Sequence, residues 1–287
     1  MSVRETLAAV RSNLAAVGVE DAALEAEVLL MRATGLDRVH LIADAHDEVS
    51  QDVLRRLAPL VNRRIRREPL AYVTGTREFY GLDFVVDSRA LVPRQETETL
   101  VEVALDLLRR NGQGEPWHIV DVGTGSGAIA VSLAVDVPDA HITAIDRSKD
   151  ALSLAALNAR RHGVERRMRC VHGNLLDEAP DDFDLLVANL PYVSNGEWEG
   201  LQPEIRLFEP KDALVPGETG LEAVTRLLTA LAGRHSMPRW AVLELGAGQA
   251  PAIAADAQRL LPGASVETFR DLAGLDRGLI LTMPTSR

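Results

Sequence analysis

His118-Ile119-Val120-Asp121-Val122-Gly123-Thr124-Gly125-Ser126-Gly127-Ala128-Ile129-Ala130 is the stretch that decides the fold. A short apolar, β-branched run meets three glycines at alternate positions and passes at once into a helical pattern. Glycine permits φ > 0 and lets a ligand approach the main chain, here at the positive end of a helix. Tight structural turns also use glycine, so the loop alone leaves both readings open. The next apolar run, His141–Ile145, ends in Asp146. That acid follows Gly123 by about the twenty residues expected of a carboxylate that holds ribose hydroxyls. Together they point to a nucleoside-containing cofactor. Ala128 stands where a dinucleotide site carries its third small residue, so the glycine loop does not by itself separate one nucleoside cofactor from another.

Outward from this turn, elements alternate. Further β runs are expected at Met168–Val171, Leu185–Ala188, Ala241–Leu245 and Leu279–Thr282, with helices at Ala128–Val135, Ala151–His162, Gly220–Leu231 and Ala250–Leu261. Such alternation implies an α/β fold with a mostly parallel sheet, helices on both faces, and ligands at the carboxyl ends of the strands. Before it, Pro93 is expected to open a helix from Arg94 to Arg110, burying Leu100, Val103, Ala104, Leu107 and Leu108. Ala71-Tyr72-Val73-Thr74 and Phe84-Val85-Val86, punctuated by Gly75 and Gly81, read as a β-hairpin linker.

The first seventy residues read as a small helical domain without a ligand-like cluster. Ser2 and Glu5 form a capping-box pair ahead of Leu7, Val10, Leu14 and Val17, and Gly18 ends that helix. Asp21 caps a second helix with Leu24, Val28 and Met31 on one face and Gly35 beyond its end. A third runs from Ser50 to Arg67 through Pro59. Its cluster Arg63, Arg64, Arg66 and Arg67 fits either a solvated helix terminus or a docking patch for a negative partner.

Composition narrows the classes. The chain has 287 residues, 46% hydrophobic and 25% charged, as in a soluble globular protein. Its formal net charge of -11 opposes a nucleic-acid backbone, although Arg supplies all but two of its 31 basic residues, the exceptions being Lys149 and Lys211. A single cysteine, Cys170, precludes an internal disulfide and reads as a buried strand residue. The amino-terminal stretch has no apolar core of a secretory signal, and no run approaches the roughly 20 apolar residues of a membrane span. A cytoplasmic location is expected, with no membrane contact.

The chemistry is carried by Asn189-Leu190-Pro191-Tyr192, which closes the run Phe183–Ala188. Asn and Pro are ordinary turn residues, yet here they lie at the ligand end of a central strand. The Asn189 side-chain oxygen and the Leu190 carbonyl can each accept one N–H of a planar NH₂ group. Such a pair aligns a poorly nucleophilic nitrogen with a sulfonium methyl and favours its rehybridisation as positive charge develops. Pro191 stiffens the backbone, and Tyr192 offers a ring face to a planar amide or base. A strong base is not needed, because the proton can leave once the nitrogen carries the methyl. No His, Cys and carboxylate cluster stands at ligand spacing, so no metal is expected.

At these residues the chain resembles the bacterial release factor glutamine N5-methyltransferases, which methylate the glutamine of the Gly-Gly-Gln loop in peptide chain release factors. The resemblance covers nearly the whole sequence. It includes Pro69–Gly75 with Glu78-Phe79, Leu91–Glu98, Asp121–Ala128, Asn189–Tyr192, Phe208–Leu214, and Glu244-Leu245-Gly246 with Gln249. It implies a Rossmann-like class I methyltransferase sheet, seven-stranded and mostly parallel. It further implies a helical substrate-recognition domain at 1–69, a β-hairpin linker at 70–92 and a methyltransferase domain at 93–287. S-adenosylmethionine, converted to S-adenosylhomocysteine, would lie with its methionine part against Gly123, Thr124, Gly125, Ser126 and Gly127. Its ribose would rest on Asp146 and its adenine near Asn174 and Leu175, with Asn189 beside the sulfonium. Leu190, Pro191 and Tyr192 would complete the glutamine pocket, with Pro93, Arg94 and Thr97 at its entrance. The implied partner is a release factor, and the enzyme is expected to act as a monomer. Leu190 replaces the proline usual in the family, and Asn174-Leu175 stands where an aspartate and an aromatic are commoner. Asn-Leu-Pro-Tyr also occurs in adenine N6-dimethyltransferases of ribosomal RNA, which lack the helical domain and linker. An adenine N6-methyltransferase on RNA or DNA is therefore the nearest alternative. An NAD-dependent oxidoreductase would need a proton-relay pair that the sequence does not offer, and a non-catalytic relative would have no use for Asn189.

Overall fold

The computed structural model describes residues 1–111, 116–271 and 274–284. They divide into two compact units, one of residues 1–76 with 202–208, the other of 77–201 with 209–287.

The first unit is helical: α1 (Val3–Ala16), α2 (Ala22–Thr34), α3 (Arg38–Ala43), α4 (Gln51–Ile65) and α5 (Leu70–Thr74), joined by the helix Pro203–Phe208. Ser2 and Glu5 form the expected capping box, with Glu5 N donating to Ser2 Oγ and Ser2 N to Glu5 Oε2. Leu14, Leu29, Leu30, Leu41, Leu57 and Val61 are among the side chains that close its core. Two expectations fail here. The buried face of α2 is Ala22, Ala26, Leu29, Leu30 and Ala33, while Leu24 is 54% exposed. Small alanines bring the α2 backbone close to its neighbours, so the larger apolar residues were a poor guide to the face. Residues 71–74 form helix, not strand. Pro69 opens the turn, Gly75 closes it in the left-handed region at φ 79°, and Tyr72, Val73 and Thr74 are buried. Tertiary burial and the two end signals override the β-branched residues.

The arginines follow neither expected reading. Arg64 is buried and pairs with Glu25 and Glu204, while Arg67 donates to both Glu204 oxygens at 2.6 and 2.7 Å and to the Val17 and Gly18 carbonyls. Arg63 holds Glu68 and the Tyr72 and Val73 carbonyls. Arg66 alone of the four is exposed. The cluster is an internal brace.

Next comes a hairpin, β1 (Thr76–Phe79) and β2 (Leu82–Val85); its first strand lies later in sequence than the expected 71–74 run and its second overlaps the expected 84–86 run. Arg94 is extended rather than helical. A 3-10 turn at Gln95–Thr97 leads into the helix Glu98–Asn111, whose buried face includes Val101 and Leu105 where Val103 and Leu107 were expected. The main sheet contains β3 (His118–Val122), β4 (His141–Asp146), β5 (Met168–His172), β6 (Leu185–Ala188), β7 (Trp240–Glu244), β8 (Ser265–Arg270) and β9 (Asp276–Thr282). Their order is β5-β4-β3-β6-β7-β9-β8, parallel throughout except where β9 pairs with β7 and β8. Helices Ala128–Asp136, Lys149–Arg161, Glu222–Ala232 and Ala250–Leu260 alternate with the strands as expected. Strands β6 and β7 are buried at every residue, as continuous apolar runs in a doubly covered parallel sheet should be. β8 escaped the sequence reading because Ser265, Glu267, Thr268 and Arg270 are exposed on the sheet's edge. Cys170 lies on β5 but is only half-buried. The order places β3, β6 and β7 side by side, with their carboxyl ends together.

Candidate active site

The glycine turn follows β3. Gly123, Gly125 and Gly127 all have positive φ, at 76°, 56° and 81°. Gly123 N and Thr124 N donate to the Ile145 carbonyl at 2.8 and 3.0 Å, and Gly127 N donates to Thr124 O. A Cβ at Gly127 would come within 3.0 Å of Ala155 Cβ, and one at Gly123 within 3.0 Å of Leu190 Cδ2. Both glycines are therefore required by backbone conformation, and Gly127 also by its close approach to the Ala155 backbone. Asp146, at the end of β4, accepts from Gly125 N at 2.9 Å and from Ser148 N at 2.8 Å. Each carboxylate oxygen keeps acceptor capacity for a further donor. Thr124 Oγ1 donates to Asp121 Oδ2, and Ser126 is buried within the turn. Complete burial pushes the Asp121 carboxyl up to about 7, with the nearby Asp146 charge adding to the shift. Gly173 N donates to the Asp146 carbonyl, which brings Asn174 and Leu175 to the same end of the sheet. Asn174 is exposed, and Leu175 has a φ of 52° with its side chain against the core.

The second half of the site hangs on β6. Val122 and Ala188 are register partners, so Asn189 emerges beside Gly123. Leu190 turns its side chain into the core, against the glycine turn. Asn189 Nδ2 donates to Thr97 Oγ1 at 3.0 Å. Two ties hold Tyr192: its carbonyl accepts from Gln249 Nε2, and Gln249 Oε1 in turn accepts from Gly246 N, both at 2.9 Å. Burial, reinforced by the Glu244 charge, pushes the Tyr192 phenol up to about 12, so it stays neutral. Gly220, at φ 81°, lets the chain pass: a Cβ there would lie 2.3 Å from the Tyr192 oxygen. Beyond the ring a groove of about 460 Å³ is lined by Tyr192, Val193, Glu197, Leu201, Gly246 and Gln249. A second cavity, of about 530 Å³ beside Trp117 and Arg239, opens at the opposite ends of the strands and meets none of these groups.

Sequence-expected residues from 93–97 do converge here. Glu209, its side chain almost fully buried, accepts from Val92 N at 3.2 Å and from Arg94 Nη2 at 2.6 Å. Arg94 is thereby committed to a carboxylate, Pro93 is buried, and Thr97 reaches Asn189. Three participants had no role in the sequence reading: Glu209, Gln249 and Glu244. Glu244 ends β7, one register step from Asn189, and is only 2% exposed. Their one signal was a polar residue just past a helix (Glu209) or at or soon after the end of β7 (Glu244, Gln249), within the stretches that carried the family resemblance. Among the described residues no group of three or more His, Cys, Asp or Glu is placed to hold a metal ion.

A family model described as the PrmC N-terminal domain matches residues 5–75, and one described as the methyltransferase small domain matches 96–208. The release factor glutamine methyltransferase of Geobacter sulfurreducens is 42% identical over 254 residues, 88% of this chain and 87% of that protein. The one from Chlorobaculum tepidum is 38% identical over 289 residues, spanning 97% of this chain and 96% of its own. The chain belongs to the release factor glutamine methyltransferase family. As a member of that family it is a methyltransferase, and its seven-stranded, mostly parallel sheet is that of a class I methyltransferase, as expected. Among solved structures, the human Mettl16 catalytic domain in complex with a MAT2A 3′UTR hairpin superposes with a TM-score of 0.59 at 16% identity, over 72% of this chain and 77% of that one. The N-terminal domain of human METTL16 in complex with SAH gives 0.55 at 14% identity, over 95% and 94%. These two share the fold. No helix among the described residues is long and apolar enough to cross a membrane.

Proposed function

We propose that this methyltransferase moves a methyl group from S-adenosylmethionine to the side-chain amide N5 of a glutamine, in the Gly-Gly-Gln loop of a peptide chain release factor. The observation that carries this reading is the contact between the two halves of the site. The 189–192 corner abuts the glycine turn: a Cβ on Gly123 would meet Leu190 Cδ2 at 3.0 Å and the Asn189 carbonyl oxygen at 3.8 Å. An amide gripped at the corner would therefore lie next to whatever the turn holds. The turn itself suits the cofactor, with three backbone-open glycines and an acid that retains acceptor capacity. Gly123 to Gly127 would hold its methionine part, Asp146 its ribose, and Asn174 and Leu175 its adenine. When bound, it supplies an electrophilic methyl on sulfur.

The chain's own residues do the rest. Asn189 Oδ1 and the Leu190 carbonyl accept the two N–H groups of the glutamine amide and hold its nitrogen in line. Pro191 stiffens the corner, and Tyr192 lies along the amide plane. Pro93 and Arg94, the latter held by Glu209, border the pocket. One N–C bond forms as one S–C bond breaks, and the nitrogen then releases a proton to water. The relatives named for release factor glutamine methylation support the substrate, as does the acidic charge. The helical unit is assigned to recognition of the release factor, and the enzyme would work in the cytoplasm beside it. The test is incubation with methyl-labelled cofactor and either release factor or ribosomal RNA. Label on the release-factor glutamine is the expected result. Label confined to RNA would replace this reading with adenine N6 methylation.

A further inference from the structure

Glu244 is one of several buried ionisable groups with an atom that finds no hydrogen-bond partner among the described residues, here its Oε2. It closes β7 beside Asn189, within the sheet rather than on a loop. A buried carboxylate with an unsatisfied oxygen is costly, and a fold retains one where it serves a site. Thr97 and Asn189 are close neighbours of the carboxyl and favour its ionised form. Thr97 is itself buried, and its Oγ1 accepts from Asn189 Nδ2.

We propose that Glu244, acting with Thr97, is a positioning residue that fixes which end of the Asn189 amide faces the substrate. The argument is one of donors and acceptors. An asparagine amide has two N–H donors at one end and a carbonyl oxygen at the other. Thr97 Oγ1 takes one N–H; in the proposed arrangement the Glu244 carboxylate, with its unpartnered Oε2, is the acceptor for the other N–H and for the Thr97 hydroxyl proton. With both Nδ2 protons engaged, Oδ1 is left to accept from an incoming NH₂ group. The flipped amide would set Oδ1 against an anionic carboxylate in a low-dielectric site, where like charge is expensive. A protonated carboxyl would lose that discrimination, since it could donate to Oδ1 itself. This inference rests on the proposed methylation of an amide nitrogen held by Asn189.

The selection depends on the Glu244 proton. Burial pushes its carboxyl up to about 7. Neighbouring Thr97, the charge of Arg277 on β9 and neighbouring Asn189 oppose the shift, and Glu96 adds to it. Tyr192, on the far side, is neutral in this range. The ionised form is the active one here, so kcat rises with pH through about 7 and falls away below it.

The experiment uses the full chain with a release factor as substrate, comparing wild type with Glu244→Gln, Thr97→Val and Thr97→Ser. Wild-type methylation of the glutamine checks the underlying reading first; its absence would sink that reading, not merely this one. Glu244→Gln is expected to lower kcat by about tenfold or more, toward the loss seen when a positioned acceptor is removed. S-adenosylhomocysteine affinity should stay within about twofold, and the rise of kcat through pH 7 should disappear. Thr97→Val should show a comparable loss, with Thr97→Ser recovering most of it. If Glu244→Gln fails to fold, the Thr97 pair and the wild-type pH profile still decide. A valine variant as active as the serine variant, or a pH limb that survives in Glu244→Gln, would overturn the proposal.

Discussion

Gly220→Ala tests whether the acceptor corner must stay where it is. The glycine lies at φ 81°, so any L-residue there carries strain of about 1–2 kcal/mol. The new Cβ would also sit 2.3 Å from the Tyr192 carbonyl oxygen and 2.9 Å from Gln249 Nε2. A comfortable carbon–oxygen contact needs roughly 1 Å more, and the obstacle is backbone, which has no rotamer to escape into. Moving the Tyr192 carbonyl that far stretches its 2.9 Å bond from Gln249 beyond hydrogen-bond range, at a further cost of about 1 kcal/mol. The expected destabilisation is therefore about 2–3 kcal/mol in denaturant unfolding. The catalytic effect should be larger, since misplacing a site by about 1 Å can cost on the order of 100-fold in rate. The glycine turn is untouched, so calorimetry should find S-adenosylhomocysteine binding within about twofold of wild type. The assay is single-turnover transfer of labelled methyl to a release factor. Turnover near the wild-type rate, in a variant shown to be folded, would refute the idea that the Tyr192 backbone is part of the working geometry.

Other outcomes can be stated more briefly. Asn189→Ala should reduce turnover by about 10²–10³-fold while leaving cofactor affinity nearly intact, because it deletes an acceptor used as charge develops; kinetics paired with calorimetry would show it. Asp146→Ala removes the acceptor for both Gly125 N and Ser148 N, and S-adenosylhomocysteine affinity should fall about tenfold or more by titration. In the helical unit, Glu204→Gln leaves the buried Arg64 guanidinium short of a counter-charge and should cost about 3 kcal/mol or more in denaturant unfolding. The same carboxyl is held below its usual range by Arg67 and Arg64 against the opposing effect of burial, so its contribution is present above the ordinary glutamate range and lost as pH falls through the lowered value.

The sheet was readable because its central strands are apolar runs bounded by glycine, proline or acid, and β3 and β6 fall where those runs do. Elements fixed by tertiary surroundings were not readable in the same way. Val73 and Thr74 favour a strand in isolation but are buried in a capped helical turn. β8 has no apolar run because one edge of the sheet faces water, and α2 buries alanines rather than its larger side chains. The site divided along the same line. Asn189 and the glycines announce themselves by local chemistry at a strand end. Glu244, Glu209 and Gln249 matter through partners 55 or more residues away, and no local pattern encodes a partner. Arg64 and Arg67 looked like surface charge for the same reason, since Glu25 and Glu204 lie far off in sequence.

The neighbouring positions of β3, β6 and β7 have a mechanical consequence. Gly123, Asn189 and Glu244 terminate or directly follow three adjacent parallel strands, so their lateral separations are set by the ladder pitch of about 4.8 Å. Surface loops can be lengthened, shortened or loosened without altering that ruler. Only slippage of a fully buried strand against its neighbours would change it, and such slippage would turn apolar side chains toward the wrong face. Amide protons at 186–188 and 241–243 should accordingly exchange among the slowest in the molecule, with the chemistry anchored to its most persistent scaffold.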